Sequence, residues 1–144
     1  MTSLADERVR AFLMEGTRTG KVAVGLGDGR VRVTPVWFVV EGDEVVFNTG
    51  KESLKGRAFQ RGGEVAMVVD VEALPYPSVQ VIGTVTVSED PDELVRTATA
   101  LGGRYMGADR AEEFGKRNGV PGELVVRLRP TKVIAHFDAV GSGE

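Results

Sequence analysis

Phe47-Asn48-Thr49-Gly50-Lys51-Glu52-Ser53-Leu54-Lys55-Gly56-Arg57 is a stretch in which one kind of structure gives way to another. The apolar run that reaches Phe47 reads as a strand. Small and hydroxyl-bearing residues follow, and a helix then opens with lysine and arginine in its first turns. Backbone N–H groups at a helix start, hydroxyls and two cations can converge on a phosphate. Gly56 leaves room there for a close backbone approach. The same residues read equally well as a plain helix start whose bases face water.

Working outward toward the amino terminus, residues 44–48 form the third strand of a meander, entered through the turn Glu41-Gly42-Asp43. The strand before it covers residues 31–40 and contains Pro35. Proline lacks a ladder donor, so an edge, bulge or bend is expected near it. Asp28-Gly29 is a tight-turn signal that needs positive φ, and it pairs this strand with one over residues 21–26. Residues 3–14 read as a helix, with Ser3 as N-cap, Asp6 and Glu7 in the first turn, and Val9, Phe12 and Leu13 on one face.

Toward the carboxyl terminus, residues 50–60 form a short helix and Glu64–Asp70 a buried strand. A loop over residues 71–77 is marked by Pro75 and Pro77. The long segment Ser78–Ser88 is rich in β-branched residues and reads as a strand. Gly83 at its middle predicts a bulge or a close neighbour. Asp90-Pro91-Asp92-Glu93 opens a helix that runs to about Met106 and stops at Gly107. Residues 109–112 fit a capping box for a second short helix, closed by Gly119 and Pro121. Residues 123–128 and 131–137 make a last strand or a pair of strands, divided by Pro130. Six or so strands, few long helices and no βαβ alternation predict a mainly β protein, an antiparallel barrel with peripheral helices. Residues 1–144 are expected to form a single domain, with no repeat, linker or low-complexity tract beyond the Gly141-Ser142-Gly143 tail.

Composition narrows the chemistry. With no cysteine, neither a disulfide framework nor thiolate catalysis is available. The amino-terminal residues mix acids and bases among apolar residues, unlike a signal peptide, and no apolar run is long enough for a membrane helix. A cytoplasmic protein with no membrane partner is expected. The net charge of −3 argues against nucleic acid, whose binding depends on neutralising phosphates. Within that acidic chain, residues 51–61 carry four bases (Lys51, Lys55, Arg57, Arg61) and one acid, Glu52. Such an island suits a small anion, or is simply a solvated helix face.

Other constellations fall away. Gly25-Leu26-Gly27-Asp28-Gly29 leads through a hairpin into a strand, whereas a dinucleotide loop must open a helix. Gly50-Lys51 is no phosphate-binding Walker loop, because Val45 occupies the position of its first glycine. A single histidine, His136, makes a zinc site or a histidine-dependent triad improbable, so no metal is expected. Glu112 and Glu113 lie on a surface helix. No cluster of protein groups is left that could perform difficult chemistry unaided. Either the protein only binds a ligand, or a cofactor carries the reaction.

The order of elements then becomes informative. A strand, Asn48-Thr49, the element Ser53-x-Lys55-Gly56, a helix, a short strand, and the long strand Val79-Gln80-Val81-Ile82-Gly83-Thr84-Val85 together resemble the flavin-binding core of the pyridoxamine-phosphate-oxidase-like split β-barrels. The likeness extends from about Lys21 to Phe137. Within that superfamily the chain is most similar to the F420 (deazaflavin)-dependent oxidoreductases of the actinobacterial type. That finer resemblance is carried by Asp28-Gly29-Arg30, Thr34-Pro35-Val36-Trp37-Phe38, Lys55-Gly56-Arg57, Arg104-Tyr105-Met106-Gly107 and Asn118-Gly119-Val120-Pro121-Gly122-Glu123. Residues 17–21 depart from it, because an apolar strand start is expected there.

The resemblance implies an antiparallel split barrel of the FMN-binding type and hydride transfer between F420 and a small organic acceptor such as an enone or quinone. It implies Lys55 and Arg57 at the cofactor phosphate, with Ser53 and Thr49 adding hydrogen bonds beside Asn48 and Gly56. Pro35, Val36 and Trp37 would form the platform for the ring. The proton would come from water or from Tyr105. A homodimer with the cofactor at its interface is also implied. The alternatives are an FMN oxidase or reductase of the same fold, and a non-catalytic binder of flavin, F420 or haem. His136 is the only imidazole a haem could use.

Overall fold

The computed structural model describes residues 2–141, so the end of the Gly141-Ser142-Gly143 tail lies outside the described residues. Seven strands form one antiparallel sheet: β1 (Gly20–Gly25), β2 (Val31–Val36), β3 (Val39–Glu41), β4 (Glu44–Gly50), β5 (Glu64–Asp70), β6 (Ser78–Ser88) and β7 (Glu123–His136). Their spatial order is β2-β1-β5-β6-β7-β4-β3. The two edge strands, β2 and β3, are neighbours in sequence, separated by Trp37 and Phe38 alone. A two-residue link spans at most about 10 Å, so the sheet has to curl until its edges meet at that point. Phe38 is fully buried where they do. The expected single strand over residues 31–40 is therefore two strands. Pro35 pairs with Lys21 on an edge, and the bend falls just after it.

Four helices decorate the sheet: α1 (Glu7–Met14), α2 (Leu54–Arg61), α3 (Pro91–Met106) and α4 (Ala111–Asn118), the last preceded by a 3-10 turn at Ala108–Arg110. Three helix starts differ from the sequence reading. Asp6, not Ser3, caps α1, accepting from the N–H groups of Arg8 and Val9. The second helix begins at Leu54 rather than near Gly50, because β4 continues to Gly50 and the Ser53 hydroxyl caps the helix by accepting from Gly56 N. The capping box at residues 109–112 does not form. Those residues enter the 3-10 turn, and Arg110, which precedes α4, gives no side-chain cap. Asp90 caps α3 through Glu93 N.

The last strand is continuous across Pro130. Ile82 pairs with Lys132 and Gly83 with Pro130, so Thr131 is the extra residue of a bulge. The bulge accommodates proline's missing N–H within a long strand. Gly83 is required there, since a Cβ would stand 2.0 Å from the carbonyl oxygen of Arg129.

Two apolar clusters hold the molecule together. Inside the curl, Val45, Phe47, Leu124, Val126, Leu128, Val22, Met67, Val69, Val79 and Val81 pack with Leu13 and Phe59. On the opposite face of β3, β4 and β7, Val39, Val46 and Val125 meet Leu94 and Leu101 of α3. Strands β4 and β7 are thus covered on both faces, which is why Val45-Val46-Phe47 and Leu124-Val125-Val126 run apolar without alternation. The far end of this α3 layer holds the site.

Candidate functional site

A cleft of about 350 Å³ lies between the β2 end, the β4 end and α3, and is lined by Pro35, Val36, Trp37, Asn48, Thr49, Gly50, Lys55, Ala98, Leu101, Asn118 and Glu123. Six of the nine expected cofactor residues are therefore together: Pro35, Val36 and Trp37 from one segment, Asn48 and Thr49 from another, and Lys55 from α2. Ser53, Gly56 and Arg57 are not in the lining.

Local sequence explains each position. Alternation along β4 turns Val45, Phe47 and Thr49 toward the barrel core and Asn48 toward the α3 side. The Asn48 amide donates to Leu124 O at 3.3 Å, while its carbonyl oxygen is buried without a partner among the described residues. Ser53 is occupied in holding the turn. Its hydroxyl donates to Gly50 O at 2.7 Å, accepts from Gly56 N at 3.0 Å, and lies 3.5 Å from the Thr49 hydroxyl. Gly56 lets α2 approach β4, because a Cβ there would meet Gly50 O at 2.0 Å. These two residues build the corner that presents Lys55.

The bases of the island separate. Lys51 pairs with Glu89 at 3.1 Å, and Arg57, its side chain 59% exposed, lies 4.0 Å from Glu52. Lys55 makes no ion pair among the described residues and faces the cleft. Its electrostatic neighbour is Glu123, the first residue of β7, paired in register with Gly50. Burial pushes the Glu123 carboxyl up from its ordinary value, and the Lys55 charge only partly opposes this.

Trp37 is fixed from behind. Its ring stacks on Tyr105 with centroids 5.1 Å apart and meets Phe114 edge-on at 6.1 Å. The Tyr105 hydroxyl accepts from Phe38 N at 3.1 Å and donates to Arg18 O at 2.7 Å. Burial raises its pKa despite that backbone contact and the adjacent Arg104. The guanidinium of Arg104 donates to the carbonyls of Leu13, Gly16 and Phe38. The Arg104-Tyr105 pair thus clasps α1, residue 18 and the β2–β3 bend, and so sets the orientation of Trp37. Tyr105 does not line the cleft.

Sequence reasoning missed Gly50, Ala98, Leu101, Asn118 and Glu123 as cleft residues. Ala98 and Leu101 share the apolar face of α3 with Leu94, a spacing visible in the chain. Glu123 is a lone acid at the head of an apolar strand, which is also a readable signal. Asn118 opens the 118–123 segment that carries the finer resemblance, but nothing in that segment marks it as a cleft residue. Elsewhere, His136 ends β7 opposite Ser78 and is not in the cleft lining. Among the described residues no group of acids and histidine could hold a metal ion, and no helix is long and apolar enough to cross a membrane.

The profile of the pyridoxamine 5′-phosphate oxidase family matches residues 5–137. Among solved structures, a conserved hypothetical protein from Mycobacterium tuberculosis superposes with a TM-score of 0.81 at 20% identity, covering 100% of this chain and 89% of that one. An F420 reductase aligns with a TM-score of 0.68 at 26% identity, over 86% of this chain and 94% of its own. A haem storage protein from Vibrio cholerae aligns with a TM-score of 0.72 at 15% identity, over 92% of this chain and 96% of its own. At their low identities the first and third of these are likenesses of fold alone. No curated protein matches the chain in sequence.

Proposed function

The chain belongs to the pyridoxamine 5′-phosphate oxidase family, and on that premise we propose that it is an oxidoreductase that binds F420 in the cleft and transfers a hydride between it and a small organic acceptor. The observation that carries this reading is the convergence of an apolar, aromatic wall with a lysine and an orphaned amide oxygen in one cleft. The F420 reductase at 26% identity supports the deazaflavin over FMN. FMN is the alternative for the same residues.

The donor set fits a phosphorylated ring cofactor. Lys55 would hold the phosphate, with the Thr49 hydroxyl and the first-turn amides of α2 beside it. Arg57, on the outer side of α2, would reach a charged extension of the ligand at the rim. Ser53 and Gly56 keep the corner in shape. Pro35, Val36 and Trp37 provide a flat apolar platform, and Ala98 and Leu101 close the opposite wall against water. The Asn48 oxygen would accept a hydrogen bond from the ligand. When bound, the deazaflavin or flavin ring supplies the two-electron chemistry. The Tyr105 hydroxyl donates to backbone carbonyls behind Trp37, Arg18 O at 2.7 Å and Phe38 O at 3.2 Å, which supports a role in orienting Trp37, with water as the source of the acceptor's proton.

A two-fold homodimer is part of the proposal. In register, Val33 adjoins Ala23, Ala66 and Ile82 on the outer sheet face, and Val31 and Val33 are 69% and 66% exposed. That face runs to Pro35 at the cleft, so a partner covering it would also border the cofactor.

The test is a pair of single substitutions. Lys55→Ala is expected to weaken cofactor binding by about 1.5–3 kcal/mol, the worth of a charge-assisted hydrogen bond, and Arg57→Ala by less. Unchanged affinity in the Lys55 variant would remove the cleft as the phosphate site.

A further inference from the structure

Among the described residues, the ionisable groups that line the cleft are Lys55 and Glu123 alone. A site built for the full charge of a phosphate monoester would be expected to gather cations. None of the other bases of the island lines the cleft, Lys51 being paired with Glu89 and Arg57 lying beside Glu52. A carboxylate takes up space next to the one lysine that remains. Glu123 forms no hydrogen bond or ion pair through its side chain among the described residues, and its Oε2 lies 3.6 Å from where a Gly50 Cβ would stand, against the β4 end. It also lines the neighbouring apolar cavity with Glu89, Leu94 and Pro121, and no cation among the described residues lines that cavity. The lining thus offers one base and one acid, where a phosphate dianion would call for more than one base.

From this balance we propose that Glu123 sets the charge selectivity of the cleft, admitting a phosphodiester monoanion and disfavouring a phosphomonoester dianion. The inference rests on the cleft being the phosphate site proposed above. A monoester carries nearly two charges above its second ionisation near pH 6, and each charge meets the attraction of Lys55 and the repulsion of Glu123. A diester carries one charge at any ordinary pH. F420 joins its phosphate as a diester, whereas FMN is a monoester, so the same carboxylate would bias the site between the two cofactors.

The experiment uses three forms of whichever ring, flavin or deazaflavin, the wild-type protein binds more tightly: the free ribityl compound, its terminal phosphate monoester, and its cyclic phosphodiester. Affinities are measured at pH 8 for wild type and Glu123→Gln, which has the same shape without the charge. Removal of the carboxylate is expected to tighten the monoester roughly tenfold more than the diester, and to leave the uncharged compound unchanged. Lys55→Gln provides the converse, weakening the monoester more than the diester. Equal response of both esters to Glu123→Gln, or none, would overturn the charge-selectivity role while leaving the cofactor site in place. Failure of wild type to bind either ring in any form would overturn both.

Discussion

Glu123 is an acid that the fold holds partly out of water beside a single lysine, and its protonation should be readable in the stability of the protein. Burial raises its pKa in the folded state, so the native protein binds that proton more tightly than the unfolded chain does. The resulting stabilisation is present below the ordinary carboxylate range and is lost as pH rises through the raised folded value. Glu123→Gln should therefore melt at a higher temperature than wild type at pH 8, with the gap closing toward pH 4. Thermal denaturation followed by circular dichroism at the two pH values checks this; a gap that widens in acid would contradict it. At this scale the chain was legible where residue type and spacing coincide. Trp37 and Phe38 show it well: alternation predicts that only one of them enters the core, and Phe38 is fully buried while Trp37 reaches the cleft. Asn118 was not legible as a cleft residue, because α4 comes to the cleft only through its packing on α3, whereas Glu123 arrives through the pairing of β7 with β4 at Gly50, a register the chain does not announce.

The bulge between β6 and β7 is what lets these two long strands stay paired across Pro130. Gly83 packs against the backbone of Arg129, and a side chain there has nowhere to go. Gly83→Ala should cost about 1–3 kcal/mol, as an overpacked core site does, measured as a lowered urea midpoint. A neutral effect would mean that the two strands separate easily at Pro130. The glycine and the proline were both visible in the sequence, yet the outcome depended on their being opposite each other. A proline taken alone divides a strand; opposite a bulge it is absorbed into one, and β7 runs through. Helix starts were the other weak point. Ser3 and Asp6 are both capping residues, and residues 109–112 satisfy a box pattern that a preceding 3-10 turn pre-empts. Local propensity names the candidates for a cap, and the geometry of the incoming chain selects among them. By contrast Asp90 and Gly107 bound α3 as the chain suggests.

For the whole molecule, the element order was enough to predict an antiparallel, mainly β fold with peripheral helices, and the seven-strand sheet agrees. How its edges meet was not readable, since that follows from a two-residue link whose shortness matters only once the strand order is known. The outer face that carries Val31 and Val33 leads to the prediction at this scale. A two-fold interface uses each patch twice, so one charge placed on it counts twice. The protein should sediment at twice its chain mass, and Val33→Glu should shift it toward the monomer and weaken cofactor binding with it. A wild-type monomer would contradict the proposed dimer.

The central claim is that the cleft at Trp37 and Lys55 holds F420 in preference to FMN. Titration of the protein with each cofactor separately, read by quenching of the fluorescence of Trp37, its only tryptophan, tests this most directly. The account predicts saturable quenching by F420 at micromolar or lower concentration and distinctly weaker binding of FMN. Tighter binding of FMN would contradict the deazaflavin assignment and the direction of the selectivity ascribed to Glu123, and binding of neither would contradict the site itself.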